Sequence, residues 1–362
     1  RGLGDVYKRQ QIVDAMPLEE KIGQLVLTGF EGTSVDETLR KAVEEYYIGH
    51  VILFKENIES ATQLKTLNTA LLNLKTSHPL WIALDEEGGN VSRLPKDFLK
   101  LPTAAKLANQ YTVDTVQDLA AHLGELLDAY GFAVDFAPVF DVNSNPNNPV
   151  IGSRAFSANR ETVSQYAMAF ANGLQQQNIV AVAKHFPGHG DTDTDSHKAL
   201  PIINKTREQL WQTELVPFQH AINEGISMMM VGHLLVPAID QKLVATQSSA
   251  VMKELLREEM GFQGVIITDD LTMDAIAVDP AVAAVNAIVA GADIALIGHG
   301  TDKAIEVAKA LKQAVLDGRI MEQQINESVF RILMLKSEQV GDMNNEISIK
   351  AWNEQMRALL NQ

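Results

Sequence analysis

Short apolar, β-rich runs return along this chain at intervals filled by segments with helical periodicity, and that alternation limits the fold more than any other feature. The runs fall at 25–30, 50–54, 80–84, 133–138, 180–184, 227–231, 265–268 and 294–297. Between them, apolar residues recur on single helical faces: Val163, Tyr166, Ala167, Phe170 and Leu174 on one, Ala304, Val307, Ala308, Leu311 and Val315 on another. Gly318 is the expected stop of the latter, and Met252, Leu255, Leu256 and Met260 form a similar face before Gly261. Strands that alternate with helices pair in parallel, because a parallel neighbour is reached only through a crossover. About eight such units close a barrel. The expected fold class is therefore α/β, a single (β/α)8 barrel of TIM type, with a doubly wound open sheet as the alternative.

Eight units fill residues 18–336, which leaves no room for a second C-terminal domain there. Residues 1–17 are expected to be an N-terminal extension and 337–362 a polar C-terminal tail, with a short helix at 351–360. The first ten residues lack a starting Met and the apolar core of a signal peptide, and are expected to be foreign to the native chain. The expected location is the cytoplasm, with secretion or lipid anchoring as alternatives if a native N-terminus is missing. The longest apolar region, 281–298, is interrupted by Asn286 and Asp293, so it reads as helix, turn and buried strand rather than a membrane span. A net charge of −16, from 30 basic and 46 acidic residues, argues against nucleic acid or an anionic membrane as partner. With no cysteine, disulfides and thiolate metal sites are excluded.

In a closed parallel barrel the chemistry gathers at the C-terminal ends of the strands. The polar residues of this chain follow that rule. Asp85-Glu86-Glu87 comes after the third run, Asp141 and Arg154 lie past the fourth, and Lys184-His185 end the fifth. His233 follows the sixth, Asp269-Asp270 the seventh and His299 the eighth.

The richest stretch is 184–197, KHFPGHGDTDTDSH, with one lysine, three histidines and three aspartates in a Gly/Pro-broken loop. A metal site is one reading of it. His185 and His189 have zincin spacing, but Pro187 and Gly188 forbid the helix which that spacing needs. Asp191, Asp193 and Asp195 start like a calcium loop, yet Ser196 and Ile202 stand where the loop requires Gly and Glu. No metal is therefore expected. The other reading is acid/base work by His197, oriented and charged by Asp195. Lys184 and His185 would point into the barrel mouth as donors to a polar ligand, although Lys184 also reads as half of a buried salt bridge. His189 reads equally as a loop-shaping residue.

In the run from Val265 to Leu271 a buried strand ends in two acids. An unpaired carboxylate there is costly. One is expected to cap the next helix, and Asp269, nearer the strand, is favoured for chemistry. In 84–93 the Gly88-Gly89 pair would permit close backbone approach to a ligand, with Asp85 and Arg93 clamping hydroxyls. Arg154 adds a further cation, and Met228-Met229-Met230 reads as barrel core.

Together these motifs resemble family 3 glycoside hydrolases, in particular the β-N-acetylglucosaminidases of the peptidoglycan-recycling type, over residues 18–336. The resemblance implies that Asp269 is the nucleophile and that His197 with Asp195 is the acid/base dyad. It implies sugar binding by Asp85, Arg93, Arg154, Lys184 and His185. Asn90 departs from the family, which usually has Arg after the glycine pair. The implied reaction is retaining, cofactor-free exo-hydrolysis that removes terminal N-acetylglucosamine from a small carbohydrate such as a GlcNAc-MurNAc muropeptide or a short chitin-like oligomer, by a monomer. Phosphorolysis at the same site, a non-catalytic sugar-binding barrel and a metal-dependent barrel hydrolase remain as alternatives.

Overall fold

The computed structural model describes residues 3–193, 200–339, 343 and 346–362. Each apolar run gives rise to one strand, the fifth extending two residues beyond its run: β1 Val26–Thr28, β2 His50–Ile52, β3 Trp81–Leu84, β4 Val134–Asp135, β5 Val180–Phe186, β6 Met228–Val231, β7 Val265–Thr268 and β8 Ala295–Ile297. They form one 8-stranded parallel sheet in the order β7-β6-β5-β4-β3-β2-β1-β8. The last seam is closed by a parallel bridge from Ile267 to Ile294, where the Thr268 amide donates to the Ile294 carbonyl at 3.1 Å. That seam excludes the doubly wound open sheet. The protein is a single (β/α)8 barrel.

The strands are short and almost wholly apolar because both of their faces are covered, one by the barrel interior and one by helices. Between β4 and β5 the helix Arg160–Gln176 starts on an Asn159 side chain that accepts the Thr162 amide at 2.8 Å. It buries Val163, Ala167, Phe170 and Leu174 against the sheet. After β8, Thr301–Leu316 buries Ala304, Val307, Ala308 and Leu311, and Gly318 follows at φ +73°. The segment Ala250–Glu259 keeps its expected apolar face but winds as a π-helix. Among the described residues no helix is long and apolar enough to cross a membrane.

The bottom of the barrel is plugged by Lys336, whose Nζ donates to Gln24 Oε1 (2.8 Å) and to the carbonyls of Gly49 (3.0 Å) and Pro79 (2.8 Å). Burial without a carboxylate holds this amine well below its ordinary pKa.

Residues of the segment expected as a polar tail form the helix Ile349–Leu360, with Trp352 and Met356 buried. The Trp352 indole stacks on His122 with ring centres 4.8 Å apart, donates to the His122 carbonyl at 3.0 Å, and meets Phe98 edge-on at 5.5 Å. Truncating so enclosed an indole removes a large apolar area and leaves a cavity. Trp352→Ala is therefore expected to lower unfolding stability by ~3 kcal/mol in urea titrations. A change within about 0.5 kcal/mol, the usual range for surface positions, would mean that the helix lies loosely on the barrel.

Candidate active site

The site grows from the rim. β5 carries Lys184 to its C-terminal end, where the side chain is buried between two carboxylates. Its Nζ lies 3.0 Å from Asp85 Oδ1 and 2.7 Å from Glu87 Oε1, both on the loop after β3. Arg154 grips Glu87 from the other side with two parallel bonds, Nε to Oε2 at 2.9 Å and Nη2 to Oε1 at 2.7 Å. Burial alone would push the Glu87 carboxyl up, but the Arg154 and Lys184 cations outweigh it and hold the group far below the carboxylate range. The same pairing raises Lys184 and Arg154 against their own burial. Arg93 completes the cluster, 3.5 Å from Asp85 Oδ2. Lys184 is thus the salt-bridged barrel residue of one reading, and it also lines the cavity, as its reading as a ligand donor requires.

Glu87 is the member that sequence reasoning missed. A signal was present, since three consecutive acids at a strand end sit beside more cations than Asp85 alone can pair with. Glu86, its neighbour, has a different task. Its Oε2 accepts from the Ser92 hydroxyl and the amides of Arg93 and Leu94, so it folds the loop that presents Arg93. The Gly88-Gly89 pair is also required by the packing of that loop. A Cβ at Gly88 would fall 2.6 Å from the Pro102 carbonyl, and one at Gly89 2.4 Å from Thr103 Cγ2.

Asp141, buried past β4, fastens the beginning of the β5 loop. It accepts the amides of His185 (3.2 Å) and His189 (2.7 Å), and its Oδ2 is 2.8 Å from His185 Nδ1. Burial pushes Asp141 up, but the two imidazoles outweigh this and hold it below its usual value. His189 Nδ1 lies 2.7 Å from the Thr192 hydroxyl, and burial pushes its ring down to about 4, so it is neutral at pH 7. That agrees with a loop-shaping task for His189.

β7 delivers Asp269, whose Oδ1 accepts the Asp270 amide at 2.8 Å. Burial again pushes upward. His233, His185, that amide and Lys184 prevail, and Asp269 is held below the ordinary carboxylate value. Asp270 is spent on structure: its Oδ1 accepts the Thr272 amide and hydroxyl and the Gly298 amide, tying the β7 and β8 ends together. Neither acid caps the next helix, as one of them was expected to do. That helix, Pro280–Ala290, is capped by Asp279. His233 bridges the Thr246 hydroxyl (2.9 Å) and the Asp270 carbonyl (2.7 Å) beneath the acids.

Asp85, Arg93, Arg154, Lys184, His185 and Asp269 all line one cavity of about 530 Å³, which also touches Phe54 and His299. That volume suits a small polar ligand. Asp195 and His197 lie outside the described residues. Among the described residues no group of three or more His, Asp or Glu side chains is placed to hold a metal ion.

A closed parallel barrel with a charge-lined cavity at the C-terminal rim defines the general class, a (β/α)8 protein built to hold a small polar molecule. Comparison with known proteins sharpens it. The family described as "Glycosyl hydrolase family 3 N terminal domain" matches residues 17–335, and the chain belongs to that family. A "Beta-hexosaminidase A" of Pseudoalteromonas piscicida is 34% identical over 334 residues, 84% of this chain, and the chain spans only 56% of that relative's length. A "Beta-hexosaminidase" of Nitrosomonas eutropha is 37% identical over 301 residues, 80% of this chain and 85% of its own length. Among solved structures, a glycoside hydrolase family 3 beta-N-acetylglucosaminidase from Paenibacillus sp. str. FPU-7 superimposes with a TM-score of 0.90 at 36% identity, covering 95% of this chain and 68% of its own.

The contrast between the two adjacent glutamates is measurable. Burial pushes Glu86 up to about 7 despite its three donors, so the folded protein holds a proton there that the unfolded chain gives up near 4.5. Stability should accordingly fall as pH rises from about 4.5 through about 7, by ~3 kcal/mol at most. Glu86→Gln keeps an acceptor and removes the ionisation. It is expected to flatten that fall and to be at least as stable as the parent at pH 8 by urea unfolding. An unchanged slope would place the pH dependence elsewhere.

Proposed function

We propose that the chain is a retaining exo-β-N-acetylglucosaminidase acting on small carbohydrates of the GlcNAc-MurNAc type, with Asp269 as nucleophile and the His197–Asp195 pair as acid/base. The observation that carries this reading is the placement of an ionised Asp269 in the same cavity as the Lys184, Asp85, Arg154 and Arg93 cluster. Such a cluster offers acceptors and charged donors in fixed positions, which suits the vicinal hydroxyls of a terminal pyranose. His185, with Nδ1 engaged by Asp141, keeps its other ring nitrogen for the same ligand. Relatives named beta-hexosaminidase and beta-N-acetylglucosaminidase support the sugar assignment.

In the first step an oxygen of Asp269 bonds to the anomeric carbon while the bond to the leaving oxygen breaks, and His197 gives its proton to that oxygen. In the second, His197 takes a proton from water, the water oxygen bonds to the same carbon, and Asp269 departs as carboxylate. Two displacements restore the starting configuration. A histidine acid, unlike a carboxylate, does not repel an anionic aglycone, and this favours a muramic acid on the leaving side.

Hydrolysis of a chromogenic N-acetyl-β-glucosaminide tests the assignment. Asp269→Ala and Asp269→Asn are expected to lower kcat/KM by about a thousandfold or more, with circular dichroism and urea unfolding unchanged. Retention of more than about a tenth of the activity would remove Asp269 from the nucleophile's role. Proton NMR of the nascent sugar is expected to show the β anomer first. An α product would rule out retention, and an α-glycosyl phosphate formed in phosphate buffer would rule out nucleophilic attack on the sugar as described.

A further inference from the structure

The half of the cavity that faces the charge cluster holds one polar side chain that neither the ion pairs nor the proposed displacement uses. His299 follows β8 and lines the cavity with a side chain that is 60% exposed. The backbone on either side of it is held. The Gly298 amide donates to Asp270 Oδ1 at 2.8 Å, and beyond Gly300 the Thr301 hydroxyl donates to the Gly29 carbonyl at 3.2 Å. The His299 ring meets Phe54 edge-on with centres 4.9 Å apart, and its Nδ1 lies 4.0 Å from Asp270 Oδ2. Its Nε2 has no hydrogen-bond partner among the described residues.

Phe54 and His299 stand after β2 and β8, on either side of β1, and they meet because a glycine follows β1. A Cβ at Gly29 would fall 1.8 Å from the Gly298 carbonyl oxygen and 3.3 Å from Phe54 Cε2. Phe54 is itself fixed. Its amide donates to Asn57 Oδ1 at 2.8 Å, and the buried Asn57 side chain donates to the carbonyls of Phe30 (3.0 Å) and Gly32 (2.7 Å). The Arg93 guanidinium lies over the Phe54 ring, 5.8 Å from its centre. An exposed imidazole on so rigid a support adds little to the core, and its second nitrogen is presented to whatever enters the cavity.

We infer that His299 is a specificity-determining residue that hydrogen-bonds the leaving sugar. The inference deepens the functional reading above and rests on Asp269 as nucleophile. Strand order decides which part of the ligand lies near His299. Four steps separate β3 from β7 in either direction round the closed sheet, so Asp269 stands across the cavity from Asp85 and Arg93. With the hydroxyls of the terminal sugar held at the charge cluster, the anomeric carbon lies on the β7 side, next to β8. The floor of the cavity is apolar and buried, made by Ile52, Phe136, Met230 and Leu296, and Asp269 rises from it directly after the buried Thr268. Displacement is in line, so the leaving oxygen lies on the side of the carbon away from Asp269, towards the mouth. There the exposed lining residues include Lys55, Asp274 and His299. A second sugar brings hydroxyl and acetamido groups past the imidazole, which can donate to them or accept from them. A simple aryl group brings neither.

The test compares two leaving groups on the same terminal sugar. His299→Ala is expected to lower kcat/KM on the disaccharide GlcNAc-MurNAc about five- to tenfold, the share of one net hydrogen bond, and on 4-nitrophenyl N-acetyl-β-glucosaminide by less than about twofold. His299→Phe keeps a ring against Phe54 without a nitrogen, and it is expected to match His299→Ala on both substrates. Damage to Asp269 or to the charge cluster would instead lower both rates alike, since the two substrates share the sugar held there. An equal fall on both substrates, no fall on the disaccharide, or parental activity in His299→Phe would overturn the inference. So would a parent enzyme that cleaves the nitrophenyl glycoside but not the disaccharide. Activity surviving in Asp269→Ala is a separate result and would overturn the functional reading.

Discussion

A parallel sheet closed on itself through β7 and the residue before β8 has no free edge, and all its strands hand their last residues to one rim. Every feature of the cavity follows from that constraint. Asp85, Asp141, Lys184, His233 and Asp269 are far apart in the chain and become neighbours only because closure turns sequence distance into a circle. β5 shows the constraint most sharply. Its pairing with β6 slips between Ala183 and Phe186, while Lys184 bridges Val139 on the other side and its carbonyl accepts the Phe140 amide at 2.7 Å. The backbone of Lys184 is thus held by strand pairing on both sides, independently of the carboxylates that its side chain meets.

Glu86 and Glu87 show how local the electrostatics are. Both are buried and adjacent in sequence, yet the first keeps its proton to about pH 7 and the second is ionised far below the usual range. Dipoles from one hydroxyl and two amides do not overcome the desolvation of Glu86, whereas two full cations within hydrogen-bond distance more than do so for Glu87. Replacing this network by apolar residues would be no great loss to stability. Its presence at the mouth of a cavity is better understood as the cost of keeping charged donors and acceptors in place for a ligand.

The strands were legible because burial on both faces demands largely apolar runs, and the polar residues that the rule for barrels expects directly follow β3 and β7 and stand near the end of β5. What escaped reading was whatever depends on a partner across the rim. Glu87 meets Arg154 and Lys184 at separations of 67 and 97 positions, which no local pattern encodes. The packing need for the Gly88-Gly89 pair was hidden as well, because the neighbours it must clear, Pro102 and Thr103, are supplied by tertiary packing. Capping failed similarly. Asp270 finds Gly298 across the closing seam instead of a helix start. The helix Ile349–Leu360 was partly visible in its period, but its docking through Trp352 against His122 was not. The dyad expected at Asp195 and His197 falls outside the described residues.

The tandem acids after β7 bear on which carboxylate does the work. A nucleophile must be ionised and must keep lone pairs free for the carbon it attacks, whereas a structural carboxylate has its oxygens occupied. Asp270 Oδ1 alone accepts three hydrogen bonds, and its Oδ2 faces His299 at 4.0 Å. Asp269 accepts the Asp270 amide on Oδ1, which orients the carboxylate without covering it, and the surrounding charges hold it ionised. The two acids therefore divide the requirements. Asp270 fixes the backbone of the rim, that backbone aims Asp269, and the amide between them is the link. On the proposed reading of Asp269 as the attacking group, this arrangement accounts for the two acids at the strand end, since a single residue cannot both tie the β7 and β8 ends together and remain free to form a bond.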